Sequence, residues 1–486
     1  MSLKQKTITG LAWSFVDQFA NRGISFIVGI ILARILSPRE FGLVGMITVF
    51  IAVSNSFISS GFGSALIRKK NCTQTDYSTV FFFNLSAGIL LFVALFLSAS
   101  AISDFFNEPQ LKPIVQVLGL VLIIESLTII QRTILTKRID FKLQARISII
   151  ASLGSGIIGI AMAFKGFGVW SLVAQQLSRQ AVNSALLWLW NRWKPTVIFS
   201  KQSFKELFGF GSKLLLSGLI DTIYRNVYYL VIGKYFSALD LGYYTRADQF
   251  KALPSQNLNA VIGRVSYPVL SSIKDDIPRL KANYQKLIRS TMFITFVLML
   301  GMAAVARPMI LALIGEKWEP SIVYLQMLCF VGMFYPLQAL NLNILMVQGR
   351  SDLFLRLEVI KKVLAIPVII IGVYLGIKAM ILGLMVLTLL AYYINSYWSG
   401  KLINYSIINQ VRDILPAFGL AAVTAVVTFL IGLVLPFSPL WTLAFQVAVG
   451  AIFVFTYAEA TKFADYVYIK SLILERIIFR GTKSNE

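Results

Sequence analysis

Apolar stretches of about 20 residues recur along the whole chain, and this sets what it can fold into. Each is long enough to cross the hydrocarbon core as a helix. In lipid every backbone polar group must be satisfied within the segment, which a helix achieves alone. The stretches fall near 10–33, 41–64, 79–101, 113–134, 147–164 and 168–190, then, after a polar linker, near 208–233, 243–271, 288–312, 321–347, 358–377, 379–400, 413–434 and 440–461. The pattern predicts an all-α integral membrane protein of about 14 transmembrane helices. The chain is 57% hydrophobic, with a mean hydropathy of +0.74, as such a protein requires. Lys4 and Lys6 before the first stretch do not make it a cleaved leader. The stretch is long and striped with polar residues, so it is expected to stay as the first span.

Loop charge fixes an expected orientation. The net charge is +23 although only 14% of residues are charged. In a soluble chain such a surplus would point to nucleic acid; here the cationic loops alternate. One set holds Lys4, Lys6, Arg68–Lys70, Lys137, Arg138, Lys142, Arg146, Arg192, Lys194, Lys201, Lys205, Lys274, Arg279, Lys281, Lys286, Arg289, Arg350, Arg356, Lys361 and Lys362. The other holds Arg34, Arg39, Lys112, Lys165, Lys234, Arg307, Lys317 and Lys378. The positive-inside rule then places both termini in the cytoplasm and Ser37–Glu40 outside, with no nucleic-acid partner. Two amphipathic stretches, 277–288 and 466–479, read as helices lying on the inner membrane surface.

The chain also repeats itself. Ile31 to Gly42 reads ILARILSPREFG and Val231 to Gly242 reads VIGKYFSALDLG, pairing Ser37 with Ser237, Glu40 with Asp240 and Gly42 with Gly242. Upstream, Asp17 answers to Asp221, four residues out of strict register, and Arg22 to Arg225. Two related halves with a site between them leave such a trace in transporters. The expected domains are an N-lobe of six spans (1–194), a linker (195–206) and a C-lobe of six spans (207–405). Residues 406–486 add two spans and a basic tail.

The first span carries Ser14, Asp17, Gln18, Asn21, Arg22 and Ser25 at steps of three and four, which line one helix face. Charged groups facing hydrocarbon cost roughly 2.5–3.5 kcal/mol on insertion scales, so this face looks at protein or water. The first span of the second half repeats the pattern with Ser217, Asp221, Tyr224, Arg225 and Tyr228; span six shows Gln176, Arg179, Gln180 and Asn183. Span eight shows Arg246, Asp248, Gln249 and Lys251, with Arg264 further on and Pro254 between. Proline there is expected to kink the helix or free a carbonyl. The expected cavity residues are Arg22, Arg225, Arg179, Arg246, Arg264, Asn21, Gln176 and Gln249. Arg forks suit phosphate oxygens and amides suit sugar hydroxyls, so the expected cargo is an anionic, phosphate-bearing head group with a saccharide. Asp17, Asp221, Asp248 and Glu125 are candidates for ion coupling, each equally able to serve as the partner of a nearby Arg.

Other chemistry is thin. There is no His, and the two Cys imply no disulfide framework, which removes His-ligated metals and Ser-His-Asp triads. Gly61-Phe62-Gly63 and Gly209-Phe210-Gly211 lack the lysine pattern of a phosphate loop and read as helix-packing sites. No cofactor or metal is expected, and the short outer loops leave no room for an external active site, so an enzyme is not expected.

Three segments carry a resemblance. They are Leu36-Ser37-Pro38-Arg39-Glu40-Phe41-Gly42, Gly166-Phe167-Gly168-Val169-Trp170-Ser171-Leu172-Val173 and Ser266-Tyr267-Pro268-Val269-Leu270-Ser271. In this order and spacing the chain resembles the Wzx-type lipid-linked oligosaccharide flippases. These belong to the polysaccharide transporter branch of the multidrug/oligosaccharidyl-lipid/polysaccharide exporter superfamily, and the chain is most similar to its colanic-acid-exporter-like members. The resemblance implies two pseudo-symmetric six-helix lobes alternating between inward- and outward-open states in the bacterial inner membrane. The implied cargo is an undecaprenyl-pyrophosphate-linked oligosaccharide carried to the periplasmic leaflet, with membrane lipids and an H+ or Na+ counter-ion as further partners. Arginines in the cavity of such flippases engage the pyrophosphate; Arg22 and Arg225 match best by position, Arg179, Arg246 and Arg264 less well. The alternatives are a lipid II-type flippase, a drug or organic-cation antiporter of the same superfamily, and a membrane polysaccharide polymerase or ligase. A cation site should be acidic and aromatic, and the Arg surplus speaks against it.

Overall fold

The computed structural model describes residues 3–59, 61–435 and 437–471; side chains at 3–8, 11, 210, 213–214 and 256–265 fall outside the described residues. Among the described residues all regular structure is helical. The chain divides into two compact units, Met1–Thr245 and Arg246–Glu486.

The first unit holds α1 (Leu3–Ile35), α2 (Pro38–Ser59), α3 (Phe62–Arg68), α4 (Gln74–Phe106), α5 (Leu111–Leu118), α6 (Leu120–Lys137), α7 (Phe141–Phe164), α8 (Val169–Asn191), α9 (Lys201–Tyr235) and the first turns of α10 (Ala238–Ser271). Helix α7 packs between α1 and α8, and α9 runs along α2. Apolar matching explains where α9 lies. Phe62 and Leu66 of α3, Phe81 of α4 and Ile130 and Ile134 of α6 form one buried cluster that takes in Leu207 of α9, with Phe204 and Trp188 against it. The boundary between the compact units therefore falls inside α10, beyond the polar linker.

The second unit continues with α11 (Ile277–Ala304), α12 (Ala306–Leu313), α13 (Ser321–Gly332), α14 (Tyr335–Val347), α15 (Ser351–Leu375), α16 (Ile377–Ile403), α17 (Ile407–Val434) and α18 (Pro439–Ala460). Helix α11 packs along α17, α16 along α15 and α14, and α12 against α18. Among the described residues, ten helical segments are long and apolar enough to cross a membrane. Helices α8, α9, α10 and α15 stand where four further spans are expected, but their charged and amide residues lower their hydropathy. Several expected spans are broken: α2 from α3, α5 from α6, α11 from α12 and α13 from α14.

The surface-helix reading of 277–288 is corrected. That stretch is the first part of the continuous helix α11, and its apolar residues Leu280, Tyr284 and Ile288 are buried in protein. Arg289 on the same helix donates to Asp465 at 2.9 Å, tying the segment after α18 to α11. The second stretch, 466–479, lies mostly outside the described residues. Lys361, counted above with the inner loops, is corrected likewise: it is buried within α15 and paired with Glu358 one turn back.

The internal repeat is realised in structure. Helix α1 ends at Ile35 and α9 at Tyr235; α2 starts at Pro38 and α10 at Ala238. At each new helix a Ser is bonded to the acid three residues on. The Ser37 N–H and Oγ donate to Glu40 Oε2 at 2.5 and 2.9 Å. Ser237 Oγ donates to Asp240 Oδ2 at 2.6 Å and accepts from the Asp240 N–H at 3.0 Å, so its hydroxyl caps the helix start. The two starts also meet. A Cβ built on Gly42 would stand 1.6 Å from the Ala238 carbonyl oxygen, and one on Gly242 would stand 1.9 Å from the Pro38 carbonyl oxygen. The contact is reciprocal, as a local two-fold axis through the crossing would make it. Both glycines are required because backbone lies against backbone. Weak Cα–H···O contacts suit such an approach.

Candidate functional site

In the first unit the polar face of α1 is turned against α7 and α8. Asn21 Nδ2 donates to Asp17 Oδ1 at 2.5 Å and to Ser148 Oγ at 2.8 Å. Ser148 donates to Asp17, and Ser152 Oγ donates to Asn21 Oδ1 at 2.5 Å. Asp17 and Asn21, four apart, thus share a face that reads onto Ser148 and Ser152, also four apart. Ser25 is on the neighbouring face and accepts from Arg179 Nη1 of α8 at 3.2 Å. Arg22, three residues before Ser25, shares that side by helical spacing and is half-buried.

Behind this layer lies a cavity of ≈ 350 Å³ lined by α2, α6, α7 and α8. Its polar wall includes Asn55, Glu125, Arg132, Gln176, Arg179 and Gln180. Arg132 stands within electrostatic reach of both Glu125 and Arg179. Two buried polar atoms of the wall, Asn55 Oδ1 and Gln180 Nε2, have no hydrogen-bond partner in the protein. Of the expected cavity residues, the structure brings Gln176 and Arg179 together here, with Glu125.

On α9, Arg225 Nε pairs with Asp221 at 2.8 Å, and the Arg225 side chain is 73% exposed. Ser56 of α2 and Thr222 of α9 share a hydrogen bond of 2.9 Å beside this pair. The internal pairing left open by the sequence is therefore formed, at the Nε edge of the fork.

In the second unit Arg246 is buried, donates to Gln249 Oε1 at 2.8 Å and lies 5.8 Å from the ring of Trp318, itself fully buried. It sits about two turns into α10, near the end that begins with the capped turn. Asp248 pairs with the buried Lys251 at 2.5 Å, and the Lys251 ammonium lies 5.3 Å from the Tyr335 ring. Helix α10 runs unbroken through Pro254 and Pro268. Ser255 Oγ donates to the Lys251 carbonyl at 2.9 Å, one turn before the proline-disturbed hydrogen bonds. The side chain of Arg264 lies outside the described residues.

Sequence reasoning passed over Arg132. Its signal was present: it follows Glu125 by seven residues, two helical turns, and shares its face. Asn55 and Ser148 were missed because each sits among small polar residues of an otherwise apolar span and gains meaning only from neighbours distant in sequence.

Among the described residues, ten helical segments long and apolar enough to cross a membrane, with charged and amide side chains gathered along several of the helices, define a multi-pass membrane protein. The chain belongs to the family described as polysaccharide biosynthesis protein, whose model matches residues 31–323. It is 28% identical over 442 residues to the lipopolysaccharide biosynthesis protein WzxC of Escherichia coli (strain K12), a match covering 90% of this chain and 89% of that one. It is 27% identical over 321 residues to the succinoglycan biosynthesis transport protein ExoT of Rhizobium meliloti (strain 1021), covering 65% of this chain and 64% of that one. Among solved structures, the lipid II flippase MurJ in an inward closed conformation aligns with a TM-score of 0.76 at 16% identity, covering 95% of this chain and 100% of that one. The last likeness is one of fold.

Proposed function

We propose that this chain is a flippase. It moves undecaprenyl-pyrophosphate-linked oligosaccharide repeat units from the cytoplasmic to the periplasmic leaflet of the bacterial inner membrane, by alternating access, for assembly of a surface polysaccharide. Both termini are cytoplasmic in this reading, and the lobes follow the sequence repeat. The observation that carries it is the family itself: a likeness to polysaccharide biosynthesis proteins over nine-tenths of the chain, in a fold shared with a flippase of a lipid-linked precursor. The cationic groups held by the helices support an anionic cargo.

In this reading Arg22 and Arg225, repeat-related on the first helix of each half, engage the pyrophosphate, replacing part of its hydration with charge-assisted hydrogen bonds. Arg246 and Arg264 belong to the path with lesser weight, as do Asn21 and Gln249. Energy comes from a proton or sodium gradient acting through one of Asp17, Asp221, Asp248 and Glu125. The first three each hold a short-range partner, as described above, which makes Glu125 the acid of first interest.

The test is leaflet-specific accumulation of lipid-linked repeat units in cells depleted of the protein. Depletion is expected to trap the units on the cytoplasmic side, and complementation with the intact chain to release them. Arg22→Lys and Arg225→Lys keep the charge but lose the fork, and are expected to restore part of the export. The Arg22→Ala, Arg225→Ala double variant should restore little while inserting at normal levels. Units still reaching the outer leaflet in depleted cells would remove the flippase reading; full export by the double variant would remove only the role of these two residues.

A further inference from the structure

The linker between α8 and α9 is a strap held down along its length. Gln131 Nε2 donates to the Trp193 carbonyl at 3.0 Å and Gln74 Nε2 to the Lys194 carbonyl at 2.7 Å. The Thr196 N–H donates to Ser78 Oγ and the Ser200 N–H to Thr79 Oγ1, each at 3.0 Å. These anchors set the depth of the strap. The helical segments Gln74–Phe106 and Leu111–Lys137 are long and apolar enough to cross a membrane. Ser78 and Thr79 stand where the apolar run of the first begins, and Gln131 stands near the end of the second. The strap therefore crosses the span ends at the boundary between hydrocarbon and headgroups. Its aromatic neighbours fit that depth, where Trp and Tyr gather: the Trp193 ring lies 6.3 Å from Tyr77 and 5.8 Å from Phe81.

Between the last two anchors the chain turns outward. The Ile198 N–H donates to the Thr196 carbonyl at 2.7 Å, closing a three-residue turn with Val197 at its apex. Val197 is 94% exposed, and Ile198 and Phe199 after it are 50% and 51% exposed. A turn that faces water takes polar residues, and apolar surface held out into water is unfavourable. Cations flank the triplet: Arg192 and Lys194 before it, Lys201 and Lys205 after it, all exposed, with no acid between Arg192 and Lys205. The next acid along the chain, Glu206, is paired with Lys69 at 3.0 Å. An apolar tip flanked by cations matches a layer that is anionic at its surface and apolar beneath. At this depth lipid is also the neighbour already present, which favours it over a protein partner.

We infer that Val197–Phe199 is a membrane-inserting tip that seats among anionic phospholipids, with the four flanking cations on the headgroup phosphates. The inference needs the chain to span a membrane and goes beyond the flippase reading, because it does not depend on the cargo. The Phe199 ring also lies 5.9 Å from that of Phe204 on α9, so the tip ties the start of α9 to the membrane surface.

A polarity-sensitive fluorophore on Val197→Cys of the full chain reads the tip directly. Cys72→Ser removes the other partly accessible thiol, while Cys329 is buried. Nanodiscs of phosphatidylcholine alone are compared with nanodiscs of equal parts phosphatidylcholine and phosphatidylglycerol. In the anionic discs the dye is expected to emit as in an apolar medium, to be quenched by nitroxide-labelled lipid and to be shielded from acrylamide in the water. Acrylamide quenching should rise severalfold when phosphatidylglycerol is left out. It should rise as much in anionic discs when Arg192→Gln, Lys194→Gln, Lys201→Gln and Lys205→Gln are combined. Thermal melting shows whether that variant is folded; should it melt early, the Lys201→Gln, Lys205→Gln double variant is read instead, with a smaller rise. A dye as open to acrylamide as the free fluorophore in both kinds of disc would overturn the inference. So would shielding that depends neither on phosphatidylglycerol nor on the cations. A dye exposed in discs but shielded in native membranes would also overturn it, and would assign the tip to a protein partner.

Discussion

Gly42→Ala is expected to lower the melting temperature of the purified protein and to remove most export activity, and Gly242→Ala to do nearly the same. The added methyl carbon would stand 1.6 Å from the Ala238 carbonyl oxygen in the first variant and 1.9 Å from that of Pro38 in the second. Both obstacles are backbone, so no side-chain rotation relieves them; the first turns of α2 and α10 must separate. Overpacking of this kind costs about 1–3 kcal/mol, sometimes more. Separation also pulls on what lies alongside. Gly233 meets Met46, Phe106 and Leu241, and Gly45 meets Leu241 and Thr245, so the crossing is packed close on several sides. Because both substitutions open one crossing, the double variant should cost less than the sum of the singles. Gly419→Ala is the control: its helix position is open, with nothing within 4 Å of a built Cβ, and alanine there should be neutral or mildly stabilising. A Gly42→Ala protein that melts and exports like the parent would mean that the two helix starts are not in contact.

Lys251→Met is expected to destabilise the second unit strongly. Lys251 is buried, pairs with Asp248, stands beside the Tyr335 ring and packs on Gly332, where a Cβ would meet its Cγ at 2.9 Å. Methionine fills a similar volume but leaves the Asp248 carboxylate without its cation. Breaking a buried pair from one side costs roughly 3–5 kcal/mol, whereas removing both charges is often close to neutral. Asp248→Asn added to Lys251→Met should therefore recover most of the lost melting temperature. Export separates structure from coupling. If Asp248 only holds Lys251, the double variant regains export with its fold; if Asp248 carries the coupling ion, the double variant folds and stays inactive. A Lys251→Met protein as stable as the parent would show that the pair contributes nothing to the fold.

Much of the fold was legible because hydrophobic length is a local property. A run of about 20 apolar residues specifies a membrane helix without reference to the rest of the chain. Every expected span corresponds to a helix or a pair of consecutive helices, including the polar α8, α9, α10 and α15. The turns at Ser37 and Ser237 were legible for the same reason. A Ser followed three residues later by an acid is a short-range signal, and both caps form. The breaks within spans were not legible, because a single irregular turn inside an apolar run leaves hydropathy unchanged. The amphipathic 277–288 misled, since a helix face burying Tyr284 against protein has the same periodicity as one lying on lipid.

The site divided along the same line. By itself the sequence indicated which polar residues fall inside the apolar stretches, that cations outnumber acids among them, and that Arg22 and Arg225 occupy similar places in the two repeats. Partnership is long-range, and only the tertiary structure decided it. Asp17 meets Ser148 and Arg179 meets Ser25 across more than a hundred residues of chain. Asp248 is answered by Lys251, although an i,i+3 spacing permitted this without requiring it. Arg132 joins Glu125 and Arg179 at one cavity because α6 and α8 pack together there. The two repeat glycines touch the opposite helix starts because α2 and the first turn of α10 cross there, within the first unit. A one-dimensional repeat carries the relation but not the contact.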